Sequence, residues 1–230
     1  MRLVLLGIPG AGKGTQASLL AEKYGIPAIS TGAILREAIR DGLPVGERAS
    51  RYMNRGQLVP DEVMAEIVRT RLQASDCRDG FLLDGFPRTL PQARMLTRLL
   101  EGLGQRLDAA VDIRVSPEVA VERIVGRLVC QQCGLSVQQR DLPAGGPYAC
   151  PRCGGELGRR ADDNIATARE RIAVYLVQTR PVASYYARLM LLEEVDGELE
   201  IPATFAQIVE RLERRRMAAA SRQDRAGARG

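Results

Sequence analysis

A glycine-rich stretch near the start of the chain contains the residue types that bind phosphate groups. It reads Gly7-Ile8-Pro9-Gly10-Ala11-Gly12-Lys13-Gly14-Thr15, the G-x-x-x-x-G-K-[ST] pattern with Gly14 inserted before Thr15. Glycines allow backbone N–H groups to turn toward phosphate oxygens, and a helix that follows adds its positive end. Lys13 would reach the β- and γ-phosphates, and the Thr15 hydroxyl would face the nucleotide or its Mg²⁺. The stretch therefore predicts a nucleoside triphosphate site.

Four of the five cysteines form two closely spaced pairs. They follow the pattern Cys130-x₂-Cys133-x₁₆-Cys150-x₂-Cys153, which is typical of a structural zinc site. Four thiolates complete a tetrahedral shell, so we expect Zn²⁺ to stabilise this segment rather than to take part in a reaction. Two disulfides, or free thiols in a metal-free segment, are the alternatives. Cys77 has no partner at metal-binding spacing and is expected to be an ordinary thiol.

Short apolar runs alternate with segments of helical periodicity along most of the chain. We predict strands at residues 3–6, 81–83, 109–115 and 191–195. Helices should begin near residues 14, 90, 117 and 204, and Pro91 and Pro117 lie where a helix tolerates proline best. Strands separated by helices form a parallel sheet that helices cover on both faces. The sequence thus predicts a P-loop α/β protein with three layers, helices on each side of a central parallel sheet.

Two segments depart from this alternation. Residues 30–60 have helical periodicity without an intervening strand, so they should stand away from the sheet. Residues 130–153 are rich in Gly, Pro and Gln and could not form a core without the metal. After them, a helix is predicted to begin near Asp162-Asp163.

The net charge of +5 comes from the C-terminus of the 230-residue chain. Residues 211–230 contain seven arginines and two acidic residues, which leaves 26 of the 33 basic and 26 of the 28 acidic residues in 1–210. We therefore expect residues 215–230 to form a basic, disordered tail and the neutral body not to bind nucleic acid. No apolar run approaches the ~18 residues that span a bilayer, and no signal-peptide pattern is visible. A cytoplasmic protein without membrane attachment is predicted.

Three further motifs carry a resemblance to a known family. They are Ile29-Ser30-Thr31-Gly32-Ala33-Ile34-Leu35-Arg36, then Gly56-Gln57-Leu58-Val59-Pro60-Asp61, then Leu83-Asp84-Gly85-Phe86-Pro87-Arg88-Thr89 with Gln92. Together with the phosphate loop they resemble the adenylate kinases, from Met1 to about Ile208. The resemblance implies a core P-loop domain of residues 1–29, 60–125 and 164–214. It also implies a nucleoside monophosphate (NMP)-binding arm at residues 30–59 and a zinc-bound lid at residues 126–163.

The resemblance implies a second nucleotide site, for AMP. Arg36 and Arg88 would hold its phosphate, which suits the bidentate geometry of a guanidinium group. Gln92 offers both a donor and an acceptor to the adenine edge, and Asp84 would help to arrange Mg²⁺ and its waters. The implied AMP-binding residues are Thr31, Arg36, Gln57, Leu58, Val59, Gly85, Phe86, Pro87, Arg88, Gln92, Arg160 and Arg171.

A set of arginines around the transferred phosphoryl group is implied in the same way. Arg123 and Arg127 lie four residues apart, which predicts that they share one face of a helix, and Arg160 and Arg171 bracket the helix predicted near Asp162. Closure of the lid over them would exclude water. The implied catalytic residues are Lys13, Asp84, Arg88, Arg123, Arg160 and Arg171. The implied ATP-binding residues are Gly10, Ala11, Gly12, Lys13, Gly14, Thr15, Arg123, Arg127 and Leu199.

Three positions differ from the usual pattern of that family. Ala33 stands where the family usually has Asp, close to the metal and the AMP phosphate. Residues 135–138 lack the Tyr-His pair that is common after the first cysteine pair, and Ala166 stands directly before Thr167 in place of the usual acidic residue. These differences bear on Mg²⁺ handling and adenine packing but not on the predicted fold.

The implied activity is reversible, Mg²⁺-dependent phosphoryl transfer from ATP to AMP by a monomer, which gives two ADP. One alternative is a nucleoside monophosphate kinase that uses GTP as donor or a pyrimidine monophosphate as acceptor. Another is a zinc-ribbon nucleic-acid-binding protein whose P-loop only acts as a switch. The neutral body and the low aromatic content of 4% disfavour this last reading.

Overall fold

A computed structural model of the protein describes residues 1–143 and 148–227, and its centre is a parallel sheet. The strands of this sheet are β1 (Arg2–Leu6), β2 (Ala28–Ser30), β3 (Phe81–Asp84), β4 (Ala109–Arg114) and β8 (Leu192–Asp196). Within the described residues they form one five-stranded sheet in the order β2-β3-β1-β4-β8. The predicted strands are confirmed. β2 was not predicted, because three residues are too few to show a strand pattern.

Helices cover both faces of the sheet, as predicted. On one face lie α4 (Asp61–Leu72), α5 (Leu90–Gly102) and α8 (Arg180–Arg188), and on the other lie α1 (Lys13–Tyr24), α6 (Pro117–Val125), α7 (Ile165–Val174) and α9 (Ile201–Gly227). Val4 and Leu6 of β1 belong to the first core, and Leu3 and Leu5 belong to the second. Successive residues of a strand point to opposite faces, so the apolar run of β1 reflects burial on both sides.

The segment between β2 and α4 consists of two helices, α2 (Thr31–Arg40) and α3 (Pro44–Met53). They pack closely at Gly46, where a Cβ atom would lie 2.3 Å from the carbonyl carbon of Ala38. Ala49 is fully buried in the same contact region. The prediction of a helical segment without a strand between residues 30 and 60 is confirmed.

The cysteine-rich segment forms a second, smaller sheet in the described part of the chain. Its antiparallel strands are β5 (Arg127–Cys130), β6 (Ser136–Gln138) and β7 (Leu157–Gly158), in the order β6-β5-β7. A small core joins Leu128, Leu157 and two of the cysteines. These strands were not predicted, because two to four residues are too few to show a strand pattern.

Two local predictions around this segment were wrong. Arg123 lies on α6, but that helix ends at Val125 with Gly126 as its C-cap, so Arg127 belongs to β5 and the two arginines do not share a helix face. The helix predicted near Asp162 begins only at Ile165. Asn164 is its N-cap and accepts a hydrogen bond from the backbone N–H of Thr167 at 2.9 Å, so the preceding aspartates stay outside the helix.

The last helix extends further than the sequence suggested. α9 begins at Ile201 and continues to Gly227, through most of the segment that we expected to be disordered from residue 215. Arg215 packs back onto the body: Nη1 donates to Glu193 Oε1 at 2.9 Å and Nε donates to the carbonyl oxygen of Asp108 at 2.8 Å. Residues 228–230, also part of the predicted tail, lie outside the described residues.

None of the helices described, α1 to α9, is long and apolar enough to cross a membrane.

Candidate active site

The phosphate loop is the turn between β1 and α1. Gly10 and Gly12 have φ angles of 91° and 86°, a region that residues with a side chain rarely adopt. A Cβ on Gly10 would lie 2.5 Å from the carbonyl oxygen of Ala120, so the loop packs tightly against α6. α1 begins at Lys13, directly after Gly12, and no side chain at Gly12 competes for the first N–H groups of the helix. These N–H groups are free to bind an anion.

The ammonium group of Lys13 lies inside the loop. Nζ donates to the carbonyl oxygens of Gly7 at 2.7 Å and Ile8 at 3.0 Å. Burial lowers the pKa of Lys13 from 10.5 to about 8, although the nearby carboxylate of Asp84 acts in the opposite direction. The charges of Arg88 and Arg171 lower it further. A polyanion such as a triphosphate is the ligand that stabilises a cation in these surroundings.

Asp84 ends β3 beside the phosphate loop. It lies opposite Leu5 of β1 in the sheet, and its backbone oxygen accepts a hydrogen bond from Thr31 Oγ1 at 3.4 Å. A Cβ on Gly14 would lie 3.8 Å from Asp84 Oδ2, so the carboxylate is close to the start of α1. Mg²⁺ in nucleotide sites is bound by one or two carboxylates together with phosphates and water. The position of Asp84 therefore fits a metal ion that accompanies the nucleotide.

A second pocket lies between α2, α3 and the segment after β3. It brings together most of the residues that the resemblance assigned to AMP. Its lining contains Thr31, Arg36, Gln57, Leu58, Val59, Gly85, Arg88, Gln92 and Arg171. Leu35, Met53, Gly56, Met64 and Asp162 also line it and were not predicted as site residues. A pocket with an apolar wall and convergent arginines suits a nucleotide.

The segment after β3 places Arg88 at the edge of this pocket. Arg88 Nε donates to the carbonyl oxygen of Gly85 at 2.8 Å, and its backbone N–H donates to Gln92 Oε1 at 2.7 Å. Phe86 and Pro87, which join Gly85 to Arg88, are not part of the pocket lining. The side chain of Phe86 is fully buried in the core. Phe86 therefore packs in the core beside the pocket and does not itself border it.

Four arginines converge on the space between the two sites. Burial lowers the pKa values of Arg36 and Arg171, that of Arg88 to about 10 and that of Arg160 to about 9. Neighbouring arginines add to the effect, because like charges disfavour the protonated form. The site therefore holds several partly buried cations close together, which an anionic ligand would stabilise.

Asp162 and Asp163 neutralise part of this charge from the edge of the cysteine-rich segment. Arg171 Nη1 donates to Asp162 Oδ2 at 3.0 Å and to Asp163 Oδ1 at 3.4 Å. The guanidinium of Arg127 also pairs with the fully buried carboxylate of Asp163, with Nε 2.7 Å from Oδ2. Arg127 and Arg171 therefore meet at one acid, although one begins β5 and the other lies on α7. Phosphate oxygens offer these arginines the same bidentate geometry as a carboxylate.

Arg123 lies somewhat apart from this cluster. Its Nη1 donates to the carbonyl oxygen of Gly197 at 2.6 Å, in the turn between β8 and α9. Leu199 belongs to the same turn and is 39% exposed. The structure thus brings together Arg123 and Leu199, two residues that the resemblance assigned to ATP from distant parts of the chain.

The four paired cysteines meet at one point. Their sulfur atoms all lie within 4.8 Å of one another, with Cys130 Sγ 3.5 Å from Cys153 Sγ and Cys133 Sγ 3.6 Å from Cys150 Sγ. None of the five cysteines forms a disulfide, which removes the first alternative. Zn–S bonds of about 2.3 Å in a tetrahedron place the sulfur atoms about 3.8 Å apart. The geometry therefore fits Zn²⁺, and it leaves no open position for a substrate.

Comparison with known proteins agrees with this site. The family model described as adenylate kinase matches residues 5–190. A protein of Moorella thermoacetica named adenylate kinase is 50% identical over 208 residues, which cover 90% of this chain and 96% of the relative. A protein of Archaeoglobus fulgidus with the same name is 47% identical over 214 residues, which cover 93% of this chain and 99% of the relative. The chain belongs to the adenylate kinase family.

Family membership confirms the predicted fold and favours the adenylate kinase reading over both alternatives. The aligned lengths also show how much of the chain the family covers. An aligned stretch of 214 residues covers all of a Carboxydothermus hydrogenoformans relative that is likewise named adenylate kinase and is 44% identical. That stretch is 93% of this chain. Nearly the whole chain therefore aligns with that adenylate kinase.

Two of the departures from the adenylate kinase pattern can now be placed. Ala33 is exposed in the first turn of α2, where its N–H donates to Ser30 Oγ at 3.4 Å and where it adds no carboxylate. Leu135 and Val137 pack against the small core around the cysteines, so the residues at 135–138 contribute to the lid itself.

Proposed function

We propose that this chain catalyses the reversible transfer of the terminal phosphoryl group of ATP to the phosphate of AMP, which yields two ADP. The observation that supports it best is the juxtaposition of two anion-binding sites across one group of cations. The phosphate loop with Lys13 forms one site, and the pocket with Arg36 and Arg88 forms the other. The charges of Arg88 and Arg171 contribute to the lowered pKa of Lys13, which supports an interaction between the two sites.

The residues of the chain would act mainly by position and charge. In the transfer, a phosphate oxygen of AMP attacks the γ-phosphorus of ATP, and the bond to the β,γ-bridging oxygen breaks so that ADP leaves. Negative charge is spread over the transferred group, and Lys13, Arg88, Arg123, Arg160 and Arg171 would stabilise it. Bound Mg²⁺, held with the help of Asp84, would neutralise phosphate charge. Zn²⁺ at the cysteines would stabilise the lid and take no part in the transfer.

The transfer also requires that water be excluded from the site, because water would otherwise accept the phosphoryl group. We propose that residues 126–163 close as a lid and residues 30–59 as an arm over the core formed by 1–29, 60–125 and 164–214. In the closed form, phosphates would take the place of Asp162 and Asp163 as partners of Arg127 and Arg171, and Arg160 would also bind them. We further propose a cytoplasmic monomer that binds ATP, AMP and ADP but neither nucleic acid nor membranes.

A coupled assay of ADP formation tests the activity. We expect ADP from ATP and AMP, with clearly lower rates when GMP, UMP or CMP replaces AMP or when GTP replaces ATP. The variant Arg88→Met should lose about 100-fold or more in kcat, because a buried donor to the transferred group is removed. Arg94→Met is the matched control, since Arg94 is an exposed arginine of the adjoining helix α5. A preference of the wild type for UMP or CMP would contradict the proposal.

A further inference from the structure

Asp61 lies directly behind the base-recognising residue of the AMP pocket. It is the first residue of α4 and does not line the pocket itself. Its Oδ1 accepts a hydrogen bond from Gln92 Nε2 at 2.7 Å, and its Oδ2 accepts one from Thr89 Oγ1 at 2.9 Å. Thr89 is the N-cap of α5, since its hydroxyl also accepts from the backbone N–H of Gln92 at 3.2 Å. The carboxylate is thus held in place on both oxygens.

These contacts determine which way the amide of Gln92 faces. Its oxygen accepts from the backbone N–H of Arg88 at 2.7 Å, and its nitrogen donates to Asp61. A carboxylate accepts hydrogen bonds and does not donate them, so the amide oxygen cannot take the position beside Asp61. Gln92 is 3% exposed and lines the pocket, so its second N–H and its second lone pair remain for a ligand.

The orientation of this amide has a chemical consequence for the base. Adenine has an amino group at position 6, which donates a hydrogen bond, and a ring nitrogen N1, which accepts one. A 6-oxopurine has the reverse pattern: its oxygen at position 6 accepts a hydrogen bond and its N1–H donates one. A glutamine amide can pair with either edge, but it must turn over by 180° to change from one to the other. An amide that is held in one orientation therefore distinguishes the two classes of purine.

We infer that Asp61 is a positioning residue that sets base specificity by holding Gln92 in one orientation, so that the pocket selects 6-aminopurine over 6-oxopurine monophosphates. The inference rests on the proposed function, because it concerns the same AMP pocket. Asp61 acts through Gln92 and touches no substrate atom.

The test compares AMP with IMP, which differs from AMP only at position 6 and N1. Binding of each nucleotide to the full chain is measured by calorimetry without ATP, so the result does not depend on catalysis. In Asp61→Asn, the side-chain amide can offer either an oxygen or an N–H, so one of the two contacts that orient Gln92 is relaxed while the backbone N–H of Arg88 remains. We expect the ratio of the IMP to the AMP dissociation constant to fall about tenfold, the effect of one net hydrogen bond.

The same change in a Gln92→Leu background shows whether Asp61 acts through Gln92. In a double-mutant cycle, Asp61→Asn should leave the ratio of the IMP to the AMP dissociation constant unchanged once Gln92 has been replaced. Glu62→Gln is the matched control, because Glu62 is an exposed acid in the same first turn of α4. It should leave the ratio as in the wild type. Since each nucleotide is titrated into the same protein preparation, a loss of folded protein affects both titrations equally and cancels from the ratio of the dissociation constants.

The outcomes separate this inference from the proposed function. An unchanged ratio in Asp61→Asn, or an equal fall in the Gln92→Leu background, would overturn the role of Asp61. A wild type that prefers AMP over IMP in binding but forms no ADP would contradict the proposed activity and leave the specificity role standing. A wild type that binds neither nucleotide would overturn both.

Discussion

At the scale of single residues, the active site contains cationic side chains that are positioned to bind the phosphate groups of a nucleotide. Lys13 donates to two carbonyl groups of its own loop, and its pKa falls to about 8. Arg88 and Arg160 have lowered pKa values as well, chiefly because they are buried. The folded chain therefore disfavours its own positive charges, and a bound phosphate group relieves this cost.

The lowered pKa of Lys13 predicts a pH dependence of ATP binding. The ammonium form binds phosphate, and in the free protein this form predominates well below pH 8 and is lost as the pH rises through about 8. Once ATP is bound, its charge raises the pKa again. We therefore expect the dissociation constant of MgATP, measured by calorimetry, to increase up to about tenfold per pH unit above pH 8.

The variant Lys13→Met provides the reference for this pH profile. It should bind MgATP weakly at pH 7, and its affinity should not change between pH 7.5 and pH 9.5, because the titrating group has been removed. A wild-type affinity that is constant over the same range would contradict the assignment.

At the scale of elements, the lid segment has too little apolar surface to stabilise itself. Its core contains Leu128 and Leu157 together with Cys130 and Cys150, so two of the metal ligands also belong to the core. The strands β5, β6 and β7 have between two and four residues each. Closing the loop between the cysteine pairs with a metal removes much of the conformational freedom of the unfolded segment.

Removal of one ligand should therefore unfold the lid before the rest of the protein. We expect Cys150→Ser to lose its zinc in metal analysis and to lower the midpoint of thermal unfolding by several degrees. Chelation of the wild-type protein should have the same effect. ADP formation should fall, since the lid also carries Arg127 and Arg160.

Cys77 offers a matched control for the loss of a thiol. It is buried beside Arg71, outside the cysteine cluster. Cys77→Ala should keep a full equivalent of zinc even where it lowers stability. Freshly purified wild-type protein without zinc would contradict the metal site.

At the scale of the whole molecule, the charge is distributed unevenly. The neutral body ends in α9, and the excess of arginine lies in the last part of this helix and beyond. Arg215 is the point at which this basic segment is attached. Its contacts with Glu193, Asp108 and the carbonyl oxygen of Met190 join α9 to β8 and to the residues before β4.

Two truncations that differ by one residue test this attachment. A chain that ends at Arg215 should unfold with nearly the same free energy as the full chain, whereas a chain that ends at Arg214 should lose about 2 kcal/mol. The reason is that Glu193, which is only 18% exposed, would lose its charged partner. Urea unfolding measures both. ADP formation should be unchanged in the first, and equal stabilities would contradict the attachment.

The sequence predicted the layers of the fold and the phosphate loop correctly, because both depend on local patterns. An apolar run in a parallel strand and a glycine-lysine loop before a helix can be recognised within ten residues. The errors have the opposite origin. Arg123 and Arg127 were separated by a helix end at Gly126, and residues 215–227 became helical where we expected disorder. Tertiary contacts such as those of Arg215 decide where a helix ends, and these contacts are not visible in the local sequence pattern.

By itself, the sequence identified the phosphate loop of a nucleotide-binding protein, predicted a metal site at four of the five cysteines, and showed motifs that resemble those of adenylate kinases. It did so through residue types at fixed spacing. The tertiary structure decided which residues from distant elements meet. It placed Asp163 between Arg127 and Arg171, and it placed Asp61 behind Gln92. Asp61 lies 31 positions from Gln92, and Arg127 lies 36 positions from Asp163. How helices and strands pack decides such contacts, and spacing along the sequence does not record them.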